Sequence, residues 1–238
     1  MVQEKSDVKK ATLVILTRNE IVGIKTLYNK IPFDKFDEVF AVDPGSTDGT
    51  LEFFKEKGVK VVLQEKKGRG EAFRLAMKEA RNDILVFFSP DGNEDPKDSV
   101  KLVECIENGA GMAIASRFMK GSRADDQESL IAVRGFGNKF FTTLANMAFG
   151  GHLTDSINGY RAIKKETFAK LNPDAQGFCI EYQLSMRAMK LKQKIAEIPT
   201  YEGDRIDGES QHNSFRTGLR FFRLLGKEIL NGKKFSSP

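Results

Sequence analysis

Short, continuous apolar runs alternate with stretches of mixed polarity in the first half of the chain. The apolar runs lie at 11–17, 38–43, 59–64, 83–89 and 111–116. Such runs are typical of strands buried on both faces of a mostly parallel sheet. Helical spacing of apolar residues occurs between them, at 20–30, 48–57, 70–80 and 96–107. The pattern therefore predicts repeated βα units, that is, an α/β fold whose mostly parallel sheet is flanked by helices on both sides.

The pattern changes after residue 117. It predicts a long helix at about 128–149, another near 178–191, and one more strand in "KIAEIPT" at 194–200. No internal repeat or low-complexity linker separates the halves. We therefore expect one domain over 11–204, preceded by a flexible start at 1–10 and followed by a loop and an amphipathic helix at 205–238.

The predicted C-terminal helix permits two interpretations. Apolar residues recur at helical spacing, with basic residues beside them: Phe215, Leu219, Phe222, Leu225 and Ile229, and Arg216, Arg220, Arg223 and Lys227. Such a helix either docks on its own protein with a solvated basic rim or lies on an anionic membrane. The sequence leaves both open.

Composition limits the classes of protein that fit. With 238 residues, 30% of them charged and 40% hydrophobic, the chain suits one large globular domain and neither a disordered chain nor a membrane channel. No apolar run reaches the roughly 18 residues that span a bilayer, and no signal-peptide pattern opens the chain. We therefore expect a cytoplasmic protein, with peripheral attachment to a membrane left open. The net charge of +5 suits anionic partners but is also compatible with an ordinary solvated surface.

Two predicted strands end in glycine-containing loops that suit a nucleotide. In "VDPGSTDGT", Asp43 ends a strand and Gly45 and Ser46 follow, so Asp43 could accept hydrogen bonds from a base or ribose. A tight turn with Asp48 as helix cap explains this loop equally well. In "EKKGRGEA", Lys66, Lys67 and Arg69 stand beside Gly68 and Gly70 at the start of a predicted helix. A diphosphate could bind there. A solvated basic turn is the alternative.

A third strand end, "SPDGN", offers oxygen ligands. Ser89, Asp91 and Asn93 are spaced two residues apart, so that their side chains can face one way along an extended segment. Hard oxygen ligands beside a diphosphate suit Mg²⁺ or Mn²⁺, which need only one or two protein carboxylates. An Asp-Gly turn before a capped helix is the alternative.

With these loops, the chain resembles the family 2 glycosyltransferases of the GT-A fold, in particular the dolichol-phosphate-mannose-synthase-like branch. Seven stretches match the family's motifs in order: "LTRNE", "VDPGSTDGT", "GRGEA", "SPDGN", "ASRF", "DSINGYRA" and "DRIDGES". The resemblance runs from about residue 11 to 220. It implies metal-assisted, inverting transfer of a sugar from a UDP- or GDP-sugar to an acceptor. For this branch of the family, the expected acceptor is a polyprenyl or dolichyl phosphate.

The resemblance also assigns roles to residues. Thr17, Glu20 and Asp43 would hold the nucleoside, and Asp91 with Asn93 would hold the metal. Arginines would clamp the acceptor phosphate: Arg117, Arg134 and Arg205, with Asn138 nearby. A hydroxyl acceptor would need a general base, for which Asp155 and Glu181 are the candidates.

Two departures from the family pattern keep alternatives open. Pro44 replaces the second aspartate of "DDGS", and Ser89 replaces the first aspartate of the metal loop. A protein that binds a nucleotide sugar with an impaired metal site is therefore one alternative. A sugar nucleotidyltransferase would place a glycine-rich loop after the first strand, where this chain has "LTRNE". Nucleic-acid binding is the weakest reading, because no basic-aromatic ribbon is present.

Overall fold

The computed structural model describes residues 9–124, 129–207 and 214–235, with backbone only at 124, 129–134, 214 and 215. Its strands are β1 Lys9–Leu16, β2 Phe36–Asp43, β3 Lys60–Leu63, β4 Ile84–Phe88, β5 Met112–Ser116, β6 Arg123–Ala124, β7 Arg161–Lys164, β8 Ile195–Pro199 and β9 Tyr201–Glu202. Its α-helices are α1 Ile21–Leu27, α2 Thr50–Glu56, α3 Arg69–Glu79, α4 Asp98–Glu107, α5 Ser129–Phe149, α6 Lys165–Leu171, α7 Cys179–Lys190 and α8 Ser214–Asn231. Short 3₁₀ turns occupy Tyr28–Lys30 and Phe33–Lys35.

A seven-stranded sheet in the order β3-β2-β1-β4-β7-β5-β8 forms the centre of the fold. The pairs β1–β2, β1–β4, β2–β3 and β5–β8 are parallel, whereas β7 runs antiparallel to both β4 and β5. The prediction of a mixed, mostly parallel sheet flanked by helices is thereby confirmed. A separate two-stranded ribbon joins β6 to β9.

Alternation along the buried strands explains their continuous apolar character. In β1, Leu13 and Ile15 pack on the side of α1, α2 and α4, while Val14 and Leu16 pack on the side of α3, α6 and α7. Successive side chains of a strand point to opposite faces, so a strand covered on both sides must be apolar throughout. A third apolar cluster joins α5, α7 and α8, and so attaches the C-terminal helix to the domain.

The sequence pattern missed β7 and α6. Strand β7 has only four residues, "RAIK", and begins at Arg161. Arginine is mostly found at protein surfaces. In the fold Arg161 is fully buried, and its guanidinium donates to the carbonyls of Asn158 and Glu181. Those bonds compensate the desolvation of the charge, and they let an arginine occupy a central strand.

Helix α8 turns a different face to the protein than the apolar spacing suggested. Phe221, Leu224 and Leu225 are buried, whereas three residues of the predicted apolar face are exposed: Leu219, Phe222 and Ile229. The side chain of Phe215 lies outside the described residues. The helix therefore docks on its own domain and also presents a second apolar face outward.

Candidate active site

The carboxyl ends of β1 and β2 are joined by the side chain of Asp43. This fully buried carboxylate accepts hydrogen bonds from the hydroxyl of Thr17 at 2.7 Å and from the backbone N–H of Gly45 at 2.8 Å. Ser46 adds its own N–H and hydroxyl, each at 2.6 Å. Gly45 adopts φ +95°, a left-handed conformation that glycine tolerates best. Asp43 thus shapes the loop that was predicted to hold the nucleoside.

Asp48 couples the same loop to the start of α1. Its carboxylate accepts hydrogen bonds from the N–H of Thr50, at the start of α2, and from the N–H of Ile21, the first residue of α1. The capping role considered for Asp48 is therefore present. The two loops form one rigid edge beside the carboxyl end of the sheet, where ligands of open α/β sheets bind.

Arg205 connects this edge with the predicted metal loop. Its guanidinium lies 2.6 Å from the carboxylate of Glu20 and 3.4 Å from that of Asp91. The N–H of Ile206 donates to the carbonyl of Asp91 at 2.9 Å. Burial, together with the negative charges of Asp91 and Asp48, raises the pKa of Glu20 to about 7, although Arg205 opposes this shift. Three residues predicted for different roles therefore form one acid–arginine–acid cluster.

The metal loop contains a further acidic side chain, Glu94, to which the sequence assigned no role. The carboxylate of Glu94 accepts the N–H of Ser89 at 2.7 Å. Burial and the neighbouring charge of Asp91 raise the pKa of Glu94 to about 8. In the described part of the chain no group of three His, Cys, Asp or Glu residues forms a complete metal cage. The donors nevertheless fit Mg²⁺ or Mn²⁺ bound together with a diphosphate, because these ions keep non-protein oxygen ligands and a cation would relieve the crowding of Asp91 and Glu94.

Ser89 faces an arginine. Its hydroxyl accepts a hydrogen bond from the guanidinium of Arg69 at 3.2 Å. Arg69 also forms an ion pair with Glu181, a carboxylate only 2% exposed. The structure therefore sets a fixed cation beside the position where the family pattern has an aspartate. The assignment of Ser89 to the metal stays a prediction.

Arg117 and Asp155 form a further ion pair of the site, besides that of Arg69 with Glu181. Two nitrogens of Arg117 lie 2.7 and 3.0 Å from the two oxygens of Asp155, which is fully buried. Glu202 lies on the other side of the guanidinium at 3.5 Å. These carboxylates raise the pKa of Arg117 against the opposing effect of burial. Arg117 also lies close enough to Glu94 to lower the pKa of that carboxyl, so both ion pairs belong to one electrostatic cluster.

The remaining predicted residues lie at the start of α3, in the metal loop and on α5. Gly68, at φ +130°, precedes α3, and a side chain at Gly70 would collide with the carbonyl of Ala175. Lys67 is exposed beside them. Asn93 follows Asp91 in the metal loop, and Asn138 lies on α5. The side chain of Arg134 is outside the described residues, so its predicted role is not addressed by the structure.

Sequence reasoning overlooked two residues of the site. Arg69 was read only as part of a basic turn, and Glu94 only as one acid among several. A signal for Glu94 was present, because it belongs to an acidic run directly after a buried strand. No local signal reports the pairing of Arg69 with Glu181, since 112 positions separate them.

A family model described as "Glycosyl transferase family 2" matches residues 12–171, which is more than half of the chain. The chain belongs to the family 2 glycosyltransferases. This confirms the resemblance and the prediction of an enzyme of this class. The matched range contains the nucleotide loops, the metal loop, Arg117 and Asp155, whereas Glu181 and Arg205 follow it.

Two curated relatives and one solved structure place this glycosyltransferase more closely. The chain is 28% identical to the glycosyltransferase AglJ of Haloferax volcanii, over 92% of the chain and 72% of the relative. It is also 28% identical to a dolichol-phosphate mannosyltransferase of Pyrococcus furiosus, over 85% of the chain but only 59% of that protein. The structure of glucosyl-3-phosphoglycerate synthase from Mycobacterium tuberculosis with Mn²⁺, UDP and glucosyl-3-phosphoglycerate superposes with a TM-score of 0.68 at 21% identity, covering 94% of this chain and 79% of that chain. This last likeness shows the GT-A fold.

Proposed function

We propose that this glycosyltransferase moves a sugar from a nucleoside diphosphate sugar to the phosphate of a polyprenyl carrier, with inversion at the anomeric carbon. A phosphate oxygen would attack that carbon, the bond from the carbon to the diphosphate would break, and the nucleoside diphosphate would leave with the bonding electrons. The name of the Pyrococcus furiosus relative supports a lipid-phosphate acceptor.

The observation that carries this proposal is the pairing of both candidate bases. Asp155 is held by Arg117 through two bonds, and Glu181 is paired with Arg69. A carboxylate that is bound to a guanidinium accepts a proton poorly, because the positive charge stabilises its ionised form. A phosphate acceptor is already an anion and needs no base. The arrangement therefore suits a phosphate acceptor better than a hydroxyl.

The donor would occupy the edge formed by the first two loops. The Thr17–Asp43–Ser46 network would support the nucleoside, and the segment from Lys67 to Gly70 would face the diphosphate, with the N-terminus of α3 favouring negative charge. Asp91 and Asn93 are the residues that would hold a divalent cation. When bound, such a cation neutralises the departing diphosphate.

The acceptor would approach from the side of Arg117 and Arg205. Both arginines lie next to the acidic metal loop. The guanidinium of Arg205 is partly exposed and bonds to Asp91 and to the carbonyl of Asp207. Guanidinium groups bind phosphate oxygens in a bidentate manner. Arg205 would exchange Glu20 and Asp91 for the acceptor phosphate once donor and cation fill the site.

A membrane surface would supply such an acceptor, and α8 is suited to contact it. Its outward face carries Leu219, Phe222 and Ile229, and the ring of Phe222 meets that of the half-exposed Phe140 of α5 edge to face, with the ring centroids 5.9 Å apart. Within the described ranges no helix is long and apolar enough to cross a bilayer. We therefore propose peripheral contact through α8 and α5.

The test is a donor screen with radiolabelled UDP-glucose, UDP-N-acetylglucosamine and GDP-mannose, each with Mn²⁺ and polyprenyl phosphate, followed by organic extraction. One donor should place label in the organic phase, and Asp91→Ala should abolish it. Full activity of Asp91→Ala would overturn the metal assignment. Failure of every donor to label the lipid would overturn the acceptor.

A hydroxyl acceptor is the second candidate, and one observation favours it. The second carboxylate oxygen of Glu181 is buried without a hydrogen-bond partner in the described structure. It could accept a proton from a hydroxyl if Arg69 moved away. Transfer of label to water-soluble products in the same screen would support this candidate.

A further inference from the structure

Helix α8 has three distinct faces. At about 100° per residue, Phe221, Leu224, Leu225 and Glu228 point into the protein. Leu219, Phe222 and Ile229 form the outward apolar face. The basic residues lie together on the remaining side: Arg216, Arg220, Arg223 and Lys227. The helix therefore places a positive strip directly beside an exposed apolar strip.

Two arginines of the positive strip line a recess in the surface. The recess has a volume of about 360 Å³ and lies between α8 and the turn that precedes α7. Arg220, Arg223 and Leu224 form one wall, and Ala175, Gly177 and Cys179 form the other. The lining of the recess thus combines small and apolar residues with two guanidinium groups.

Within the described residues, the two arginines of the recess have no anionic partner. Lys227 pairs with Asp174 at 2.6 Å, but neither Arg220 nor Arg223 has an ion pair or hydrogen bond within 9–124, 129–207 and 214–235. Like charges three positions apart on a helix repel each other. An anion bound between the two guanidinium groups would remove this repulsion and could accept hydrogen bonds from both.

The floor of the recess is rigid and adjoins the donor loop. The guanidinium of Arg74 donates to the carbonyls of Pro173 and Ala175, and Gln183 accepts the N–H groups of Asp174 and Ala175. On its other side the turn touches the first turn of α3, where a side chain at Gly70 would come within 2.3 Å of the carbonyl of Ala175. One turn of chain therefore separates the recess from the proposed diphosphate site.

We propose that this recess is an entry subsite for the phosphate of the lipid acceptor. Arg220 and Arg223 hold the phosphate, and the prenyl chain passes over Leu219, which lies about 40° around the helix from Arg223, toward Phe222 and Phe140 of α5. The subsite is separate from Arg117 and Arg205, which receive the phosphate for reaction. This inference rests on the proposed function, because it presumes a lipid-phosphate acceptor.

The test uses the full chain with a short, water-soluble prenyl monophosphate as acceptor. The double substitution Arg220→Gln/Arg223→Gln should raise the KM for this acceptor by about tenfold, equivalent to about 1.4 kcal/mol, and leave kcat unchanged. The Kd for the nucleoside diphosphate should not change, which shows that the donor site remains folded. Lys25→Gln/Lys55→Gln removes two exposed charges from α1 and α2 and should leave all three constants unchanged.

Three arms separate the possible outcomes. An unchanged KM in the arginine double variant overturns the subsite. Loss of binding to phosphatidylglycerol vesicles, with an unchanged KM for the soluble acceptor, also overturns it and assigns the arginines to membrane headgroups. If the wild type transfers sugar to other acceptors but neither binds nor uses the prenyl phosphate, the proposed function fails, and the subsite fails with it.

Discussion

At the scale of single residues, the site is organised by arginines that each hold a carboxylate. Arg69 holds Glu181, Arg117 holds Asp155, and Arg205 bridges Glu20 and Asp91. In each pair a guanidinium group faces a carboxyl group at a place from which water is partly excluded. In the proposed function, Arg205 exchanges its two carboxylates for the acceptor phosphate.

Glu20 should make stability depend on pH in a recognisable direction. Its pKa is raised, mainly by burial, to about 7 in the native state, so native protein binds a proton that unfolded chains release at lower pH. The contribution of Glu20 to stability therefore falls as the pH rises from its ordinary pKa to about 7, and is constant above that.

The variant Glu20→Gln cannot ionise and should lack this decline. Relative to the wild type, its free energy of unfolding should increase by about 1–2 kcal/mol between pH 5 and pH 8, less than the full shift implies because solvent screens the site. Urea unfolding at pH 5, 6, 7 and 8 measures the difference. A difference that stays constant with pH would contradict the assigned pKa.

Gly92 should be required for the correct position of residues 203–206, the segment that carries Arg205. It adopts φ +104°, and a side chain there would come within 2.6 Å of the carbonyl of Asp204. Gly58 has φ +69° with open space around it. Gly58→Ala thus carries only the conformational cost, about 1 kcal/mol, while Gly92→Ala adds the collision.

The comparison of the two variants isolates the collision. Gly92→Ala should lower turnover by about tenfold or more, because displacement of Arg205 by an ångström disturbs the reacting geometry. Gly58→Ala should keep wild-type turnover. Equal turnover of the two variants would show that the seating of residues 203–206 is unimportant.

At the scale of elements, a buried ion network attaches α8 to α7. Glu228, fully buried on α8, accepts hydrogen bonds from Gln183, Arg187 and Lys190 at 2.8, 3.0 and 2.6 Å. Burial alone would raise the pKa of Glu228, but these donors hold it below its ordinary value. The network fixes which face of α8 points outward.

Replacing Glu228 by Gln should therefore be strongly destabilising. It removes the buried carboxylate that Arg187 and Lys190 share and leaves Arg187 with Asp174 at 2.6 Å. We expect a loss of about 3 kcal/mol in the free energy of unfolding. Glu166→Gln removes an exposed partner of Lys170 on α6 and should cost less than about 0.5 kcal/mol. Chemical denaturation measures the free energy of unfolding of both variants. Equal losses of this free energy would refute the role of the network.

The elements also show which parts of the fold the sequence could predict. Strands such as β1 and β4 are covered on both faces, so their apolar runs identify them without knowledge of the partners. Strand β7 opens on Arg161, whose buried guanidinium donates to the carbonyl of Asn158 and to that of Glu181, 20 positions further on. The local pattern of apolar residues does not predict such a buried charge. The sequence left open which face of α8 docks for a similar reason, because the buried position of Glu228 decides it.

The candidate site divides in the same way. Asp43 and Asp91 follow buried strands, and that position alone marks them. Their loops lie at one edge of the sheet because parallel strands end together. The ion pairs of Arg69 with Glu181 and of Arg205 with Glu20 join residues 112 and 185 positions apart, and only the fold reveals them.

At the scale of the whole molecule, one side of the protein combines apolar and positive surface next to the site. Exposed apolar residues of α5 and α8 meet through Phe140 and Phe222, and the arginines of α8 flank them. The proposed contact with a membrane suits this side, because anionic lipids attract the arginines and the lipid interior accepts the exposed apolar residues.

Vesicle flotation should detect this contact. The wild type should float with phosphatidylglycerol vesicles, more weakly as salt rises, and Phe222→Ser should reduce the bound fraction. Val22→Ser removes a similarly exposed apolar residue from α1 and serves as the control. Equal flotation of both variants would place the membrane contact elsewhere on the surface.

The most direct test of the account compares two acceptors that differ only in the phosphate. With the donor identified by the screen, the wild type would receive either a polyprenyl phosphate or the corresponding polyprenol, and labelled lipid would be counted after extraction. The account predicts rapid labelling of the phosphate and none of the alcohol, because Asp155 and Glu181 are both engaged by arginines. Labelling of the alcohol at a comparable rate would contradict it and would establish a working general base in the site.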